Sequence, residues 1–174
     1  MTKLTVPEAA RRWVMEHSRE SKVHDQGFNL SLDWWLTRLE TLPGGPVTAE
    51  DGRSSGKGRI GRAYLFSLAD DAVRDETGTS ALRLLWHTLL WGTGDGNRNN
   101  VQRIKAIRED PHRAAILLRD AARISRRHPR EAFAILRPKG NAIRSLGPAF
   151  FTKFLYFAGG GQPEHAVSSL ITAC

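Results

Sequence analysis

The chain has 174 residues, 40% hydrophobic and 25% charged, with a formal net charge of +8, which suits one folded domain with a real core and excludes both a disordered chain and two comfortable domains. The lone cysteine, Cys174, excludes an internal disulfide framework, and no stretch approaches the roughly 18 apolar residues of a membrane-spanning helix. With no signal-peptide core at the N-terminus either, a single domain over 1–174 in the cytoplasm, away from membranes, is expected.

From the N-terminus, Thr5-Val6-Pro7-Glu8 has the form of a capping box with proline in the first turn. Ala10, Trp13, Val14 and His17 follow at helical spacing. Leu32, Trp35, Leu36 and Leu39 share a face of a second helix over 32–41, which "LPGGP" ends. Residues 43–61 carry six glycines, with serines and charges among few apolar anchors, and predict a flexible loop outside the core. Within it "GRSSGKGR" (52–59) falls short of a phosphate-binding loop. Three residues rather than four separate Gly52 from Gly56, Gly58 follows the lysine, and no strand precedes it.

A third helix is predicted over 62–75. A fourth, "ALRLLWHTLLW", is capped by Ser80, stopped by Gly92 and apolar nearly all round, so it belongs at the centre. His87 within it reads as a satisfied core histidine, and the five tryptophans mostly as core. Further helices are expected at about 98–109, 112–127 and 130–137. No alternating strand of useful length is evident, so the class is all-α. No spacing of His, Cys or carboxylate supports a metal, and no cofactor is implied.

Charge is concentrated. From Arg98 to Arg130 ten basic residues face three acids, a surplus of seven. Arg119, Arg123 and Arg126 recur at i, i+4 and i+7, opposite Ala114, Leu117, Leu118 and Ala121, with only Asp120 to balance them. Such a one-signed stripe predicts contact with the phosphates of a polyanionic partner.

"NAIRSLGPAFFTKFLYFAG" (141–159) reads as a short helix, a turn at Leu146-Gly147-Pro148 and a second helix from Pro148. This helix-hairpin-helix exposes backbone N–H groups around Gly147 to a phosphate. On a helical projection Phe150, Phe151, Phe154, Leu155 and Phe157 form a wide apolar arc. Ala149, Thr152, Lys153 and Tyr156 share the narrow remainder. Lys153, half withdrawn from water near a positive helix end, is a candidate nucleophile, the bland alternative being a lysine that snorkels from a buried helix.

The stretch "IRSLGPAFFTKFLYFAGG" resembles the corresponding segment of bacterial 8-oxoguanine DNA glycosylase-like proteins of the helix-hairpin-helix superfamily, and "LLWHTLLWGTG" and the basic region after it accord with that group. The resemblance implies base flipping, excision of oxidised guanine from duplex DNA, and strand nicking through a Schiff base on the lysine of a Thr-Lys pair. Thr152-Lys153 matches that pair, with Lys153 catalytic and Thr152 beside the DNA. A monomer associated with the nucleoid is expected. Two departures stand out. Pro148-Ala149-Phe150-Phe151 replaces the usual Gly-x-Gly pattern before the pair. The window for the family's charge-stabilising aspartate is Ile171 to Ala173, and no carboxylate follows Glu164. A C-terminally truncated, catalytically impaired member is therefore expected. A non-catalytic helix-hairpin-helix DNA-binding module, or an all-α interaction protein with an incidental basic face, are the competing readings.

Overall fold

The computed structural model describes residues 6–161. Its axis is α5 (Thr79–Thr93), in which every residue from Ala81 to Leu90 except Arg83 is buried. A helix with no polar face gains nothing from water on any side, so it takes the centre and the others pack around it. Before it come α1 (Glu8–Glu16), β1 (Gly27–Ser31), α2 (Asp33–Leu39), β2 (Lys57–Gly61), α3 (Arg62–Ser67) and α4 (Ala69–Arg74). After it come α6 (Asn100–Glu109), α7 (Pro111–Ser125), α8 (Pro129–Leu136) and α9 (Pro148–Ala158). The architecture is an all-α bundle, in which α4, α7 and α9 all pack on α5 and α8 lies along α7. Among the described residues no helix is long and apolar enough to cross a membrane.

Ser80 does not cap α5. The cap is Gly78, at φ 76°, and the carboxylate of Asp75 accepts the N–H groups of Thr77 and Ser80, each at 2.8 Å. Desolvation pulls the Asp75 carboxyl upward, but the bonds from Ser80 and Thr77 outweigh it and hold the group down at about 2. The helix expected over 62–75 breaks at Leu68 into α3 and α4. Thr5 lies outside the described residues, and Pro7, expected within the first turn, is instead the N-cap of α1. Trp13 is half exposed, Val14 and Met15 more so, and no residue of α1 is buried, so the apolar positions of this helix do not serve the core.

The segment expected to be a flexible loop outside the core is built into it. Val47, Ala49 and Ile60 are buried. Residues 57–61 form β2, antiparallel to β1 with Phe28 opposite Ile60 and Leu30 opposite Gly58. The glycines there permit close approach rather than motion. A Cβ on Gly45 would sit 2.2 Å from the carbonyl oxygen of Leu39, and one on Gly58 2.3 Å from the Cβ of Ala49. His87 pins the segment to α5. It is fully buried, its Nδ1 lies 2.7 Å from the carbonyl of Arg83, and its Nε2 accepts the N–H of Thr48 at 3.0 Å. Burial pushes its imidazole down to about 4.

No helix forms immediately before the turn at 146–148. Residues 137–147 bend back instead, with Ala142 N–H on the Leu136 carbonyl, Leu146 N–H on that of Ile143, and Ser145 in the left-handed region at φ 64°. The helix that precedes the hairpin is α8.

Candidate active site

Pro148 begins α9 and Gly147, extended at φ −85° and ψ 174°, caps it. Pro148 has no N–H and those of Phe150 and Phe151 are taken up by the Gly147 carbonyl, at 3.0 and 3.1 Å, which leaves the N–H groups of Gly147 and Ala149 at the hairpin. The apolar arc is buried as the projection predicts except at Phe150, which is partly buried. Phe151, Phe154 and Phe157 are each at most 1% exposed, each worth about 2 kcal/mol of burial. That burial fixes the rotation of α9, and with it the opposite face.

That face, Ala149, Thr152, Lys153 and Tyr156, lines one wall of a cleft of about 450 Å³. Arg62 at the start of α3 and Trp91 on α5 line the other. Thr152 spends its hydroxyl on the Pro148 carbonyl at 2.6 Å. The Lys153 ammonium lies 5.0 Å from the centroid of Phe150 and 6.0 Å from that of Trp91. α5 is trimmed to glycine where the amine rests, since a Cβ on Gly92 would stand 3.3 Å from Lys153 Nζ. Among the described residues Lys153 makes no ion pair and no hydrogen bond. Burial draws its pKa below the ordinary lysine value, and the positive charge of Arg103 lowers it further. An amine so placed has more of its lone pair free near neutral pH than a surface lysine.

Two residues of this cleft carried no signal in the sequence. Arg62 read as the beginning of a core helix and Trp91 as packing. Yet Arg62 stacks its guanidinium 5.2 Å from the Trp91 ring, and Arg62 Nε and Trp91 Nε1 are both buried donors without an acceptor. Such groups each cost about 1–3 kcal/mol when left unmade. Phe28 is 45% exposed, and its ring centroid lies 6.1 Å from that of Trp91.

The arginine stripe lies elsewhere and is not one-signed. Arg119 pairs with Asp120 at 2.7 Å and donates to the Glu76 carbonyl at 2.6 Å. Arg123 meets the Glu76 carboxylate at 2.6 Å and the Val73 carbonyl at 2.8 Å. Arg126 meets Asp70 at 2.5 Å and donates Nε to the carbonyl of Ala158, at the end of α9 remote from Gly147. The stripe fastens α7 to α4, to the turn after it and to α9, and its charge is balanced by Asp120 beside it and by Asp70 and Glu76, distant in sequence. Lys153, Thr152 and Gly147 come together on α9, and the arginines do not join them. Glu164 and the window Ile171 to Ala173 lie outside the described residues. Among the described residues no three His, Cys, Asp or Glu side chains gather as a metal site requires.

The structure is thus a helical bundle with a hairpin ahead of a lysine-bearing helix and an apolar cleft over that lysine. Residues 21–172 match the family model described as "Putative 8-oxoguanine DNA glycosylase OGG-like protein", and the chain belongs to that family. No curated protein and no solved structure matches it.

Proposed function

We propose that the cleft over Lys153 is the reactive site of a DNA glycosylase that removes oxidised guanine from duplex DNA. The observation that carries this reading is the state of Lys153 itself. The amine has a lowered pKa, no ionic or hydrogen-bonding partner among the described residues, and a cleft lined by Trp91, Tyr156 and Arg62 around it. A nucleotide turned out of the duplex brings an aromatic face for Trp91, an acceptor edge for the Arg62 guanidinium, and C1′ for the amine. The hairpin N–H groups at Gly147 approach a phosphate, and Thr152 lines the path to it.

The chemistry follows from the neutral amine. The Nζ lone pair forms a bond to C1′ as the glycosidic bond breaks, its electrons leaving on the base, which takes up a proton from water. The sugar ring then opens, with its oxygen protonated, and leaves an iminium between Nζ and C1′. Loss of a C2′ proton from that iminium expels the 3′-phosphate by β-elimination and nicks the strand. The positive charge that develops on the sugar lacks a carboxylate among the described residues around Lys153. A preorganised counter-charge in a dry site is worth about 3–4 kcal/mol. Base excision is therefore the slow step, and an abasic site, which needs no excision, is the better substrate. A specific observation favours a second reading, in which the chain binds DNA without turnover: the same absence of a carboxylate from the described walls of the cleft.

Borohydride trapping separates the two. Incubated with an abasic-site duplex and borohydride, the protein should become covalently joined to DNA, with a weaker adduct on 8-oxoguanine duplex. Lys153→Gln should abolish the adduct while DNA affinity stays within a few-fold. Binding without a lysine-dependent adduct on either duplex would establish the non-catalytic module.

A further inference from the structure

A buried guanidinium with no carboxylate is costly, and this chain keeps one. Arg103, on α6, is 6% exposed. Its Nε donates to the Ser145 carbonyl at 3.2 Å, and its Nη1 to the Arg98 carbonyl at 3.0 Å and to Asn100 Oδ1 at 2.7 Å. Asn100 is fully buried and donates to Thr93 Oγ1 at 2.9 Å, so the support for Arg103 runs on into the end of α5. Every one of these acceptors is neutral.

The guanidinium carbon lies 3.9 Å from the centroid of Phe150, the ring whose centroid is 5.0 Å from Lys153 Nζ. One phenyl ring therefore serves two cations, one from α6 and one from its own helix. A ring face attracts a cation by its quadrupole, and the attraction holds the ring as firmly as the cation. Arg103 also holds Ser145, the left-handed residue that turns the hairpin into α9. It thus touches both structures that decide where Lys153 stands.

We propose that Arg103 is a positioning residue for Lys153: clamped between the Ser145 carbonyl and the Phe150 ring, it fixes the platform beneath the amine and presents an uncompensated positive charge to it. The proposal deepens the glycosylase reading and rests on it for its functional meaning, although the effect on the amine is independent of any substrate. From the elements packed around the amine, α6 contributes the charge of Arg103 and α3 that of Arg62. α5 contributes only Trp91 and Gly92, and α9 itself Tyr156. No described group opposes Arg103. Burial and the Arg103 charge act in the same direction on Lys153, toward the neutral amine.

The test titrates Lys153 directly. Reductive methylation with ¹³C-formaldehyde labels the lysines, and NMR follows each dimethylamine with pH, Lys153 being assigned from its loss in Lys153→Gln. In the wild type the Lys153 midpoint should lie below those of the surface lysines, and in Arg103→Gln it should move up toward them. Arg103→Lys, which retains the charge, should stay closer to the wild type. A wild-type Lys153 that titrates with the surface lysines overturns the proposal without any variant, which covers the case of an Arg103→Gln chain that does not fold. An unchanged midpoint in folded Arg103→Gln overturns it equally. Trapping on abasic duplex forms the second arm. At pH 7 the adduct should form several-fold more slowly in Arg103→Gln, with the difference closing as pH rises; a deficit independent of pH would show a structural role and overturn the proposal. No adduct from the wild type would reject the glycosylase reading, while the titration still decides the role of Arg103.

Discussion

Along α7, Arg119, Arg123 and Arg126 each meet a carboxylate within 2.7 Å. Around the α9 cleft, Lys153, Arg103 and Arg62 meet none among the described residues. The two groups look alike in composition, and the sequence draws attention to the first because its spacing is regular. Folding reverses the emphasis. Regular spacing brought the α7 arginines onto one face, where they bind α4 and the end of α9 together. The cations around the α9 cleft come from α3, α6 and α9 and share no spacing; α3 and α9 pack on α5, while Arg103 of α6 reaches the region through Phe150 and Ser145. A positive charge left unpaired at some cost in stability is better evidence of function than one more positive residue in a run.

The largest expected difference between the groups is chemical. Lys153→Gln should reduce the borohydride adduct on abasic duplex to background. Arg123→Gln, which breaks the contact with Glu76, should leave adduct formation within a few-fold and lower the thermal midpoint instead. If Arg123→Gln removed the adduct while the fold held, the two regions would be one site and the comparison would fail.

His87 supplies a buried ionisable group of a third kind, kept neutral by its surroundings rather than paired or left charged. Its folded pKa of about 4 lies below the ordinary 6.5. Below pH 6.5 the unfolded chain takes a proton that the folded one refuses, so stability present at neutral pH is lost as pH falls from 6.5 to about 4. The gap corresponds to about 3 kcal/mol at most, and no further loss from this group follows below pH 4. Urea denaturation at pH 7, 5.5 and 4.5 should show the decline, and His87→Gln should flatten it. The variant should also be less stable at pH 7, because Thr48 loses its imidazole acceptor and the 43–61 segment its pin to α5. An equal slope in both proteins would mean that other groups carry the acid response.

Much of the fold was legible. The all-round apolar character of 81–91 put α5 at the centre, and the projection of α9 picked out Ala149, Thr152, Lys153 and Tyr156, which line the cleft together with Phe157 from the edge of the Phe arc. Glycine content misled, because Gly45 and Gly58 look the same in sequence whether they loosen a chain or let two segments touch. Strands of five residues, "GFNLS" and "KGRIG", with 25 residues between them, present neither alternation nor a tight turn, so the hairpin sheet left no readable pattern. Among the site residues, Lys153 and Thr152 stood in a local motif, and Gly147 in a turn. Arg62, Trp91 and Arg103 acquire their roles from tertiary neighbours, and a buried guanidinium on a phenyl ring has no one-dimensional signature.

The smallest expected effect concerns the use of the α7 stripe. Sequence spacing assigned Arg119, Arg123 and Arg126 to phosphates, and the structure gives them partners within the chain. The triple alanine variant separates these roles because they alter different measurements. Three lost phosphate contacts would each flatten the dependence of log K on log salt by roughly 0.9, so the slope would fall by nearly three. Lost clamps would leave the slope unchanged and lower the thermal midpoint, since α7 would lose its ties to Glu76, Asp70 and the Ala158 carbonyl. Side-chain exposures of 17% for Arg119, 32% for Arg123 and 30% for Arg126 leave only part of each group open to a phosphate. A phosphate reaching the stripe would also have to compete with carboxylates already in contact. The slope should therefore change by less than about one unit while the midpoint falls by a few degrees. A slope reduced by nearly three would return the stripe to the DNA surface, with its ion pairs opening on binding.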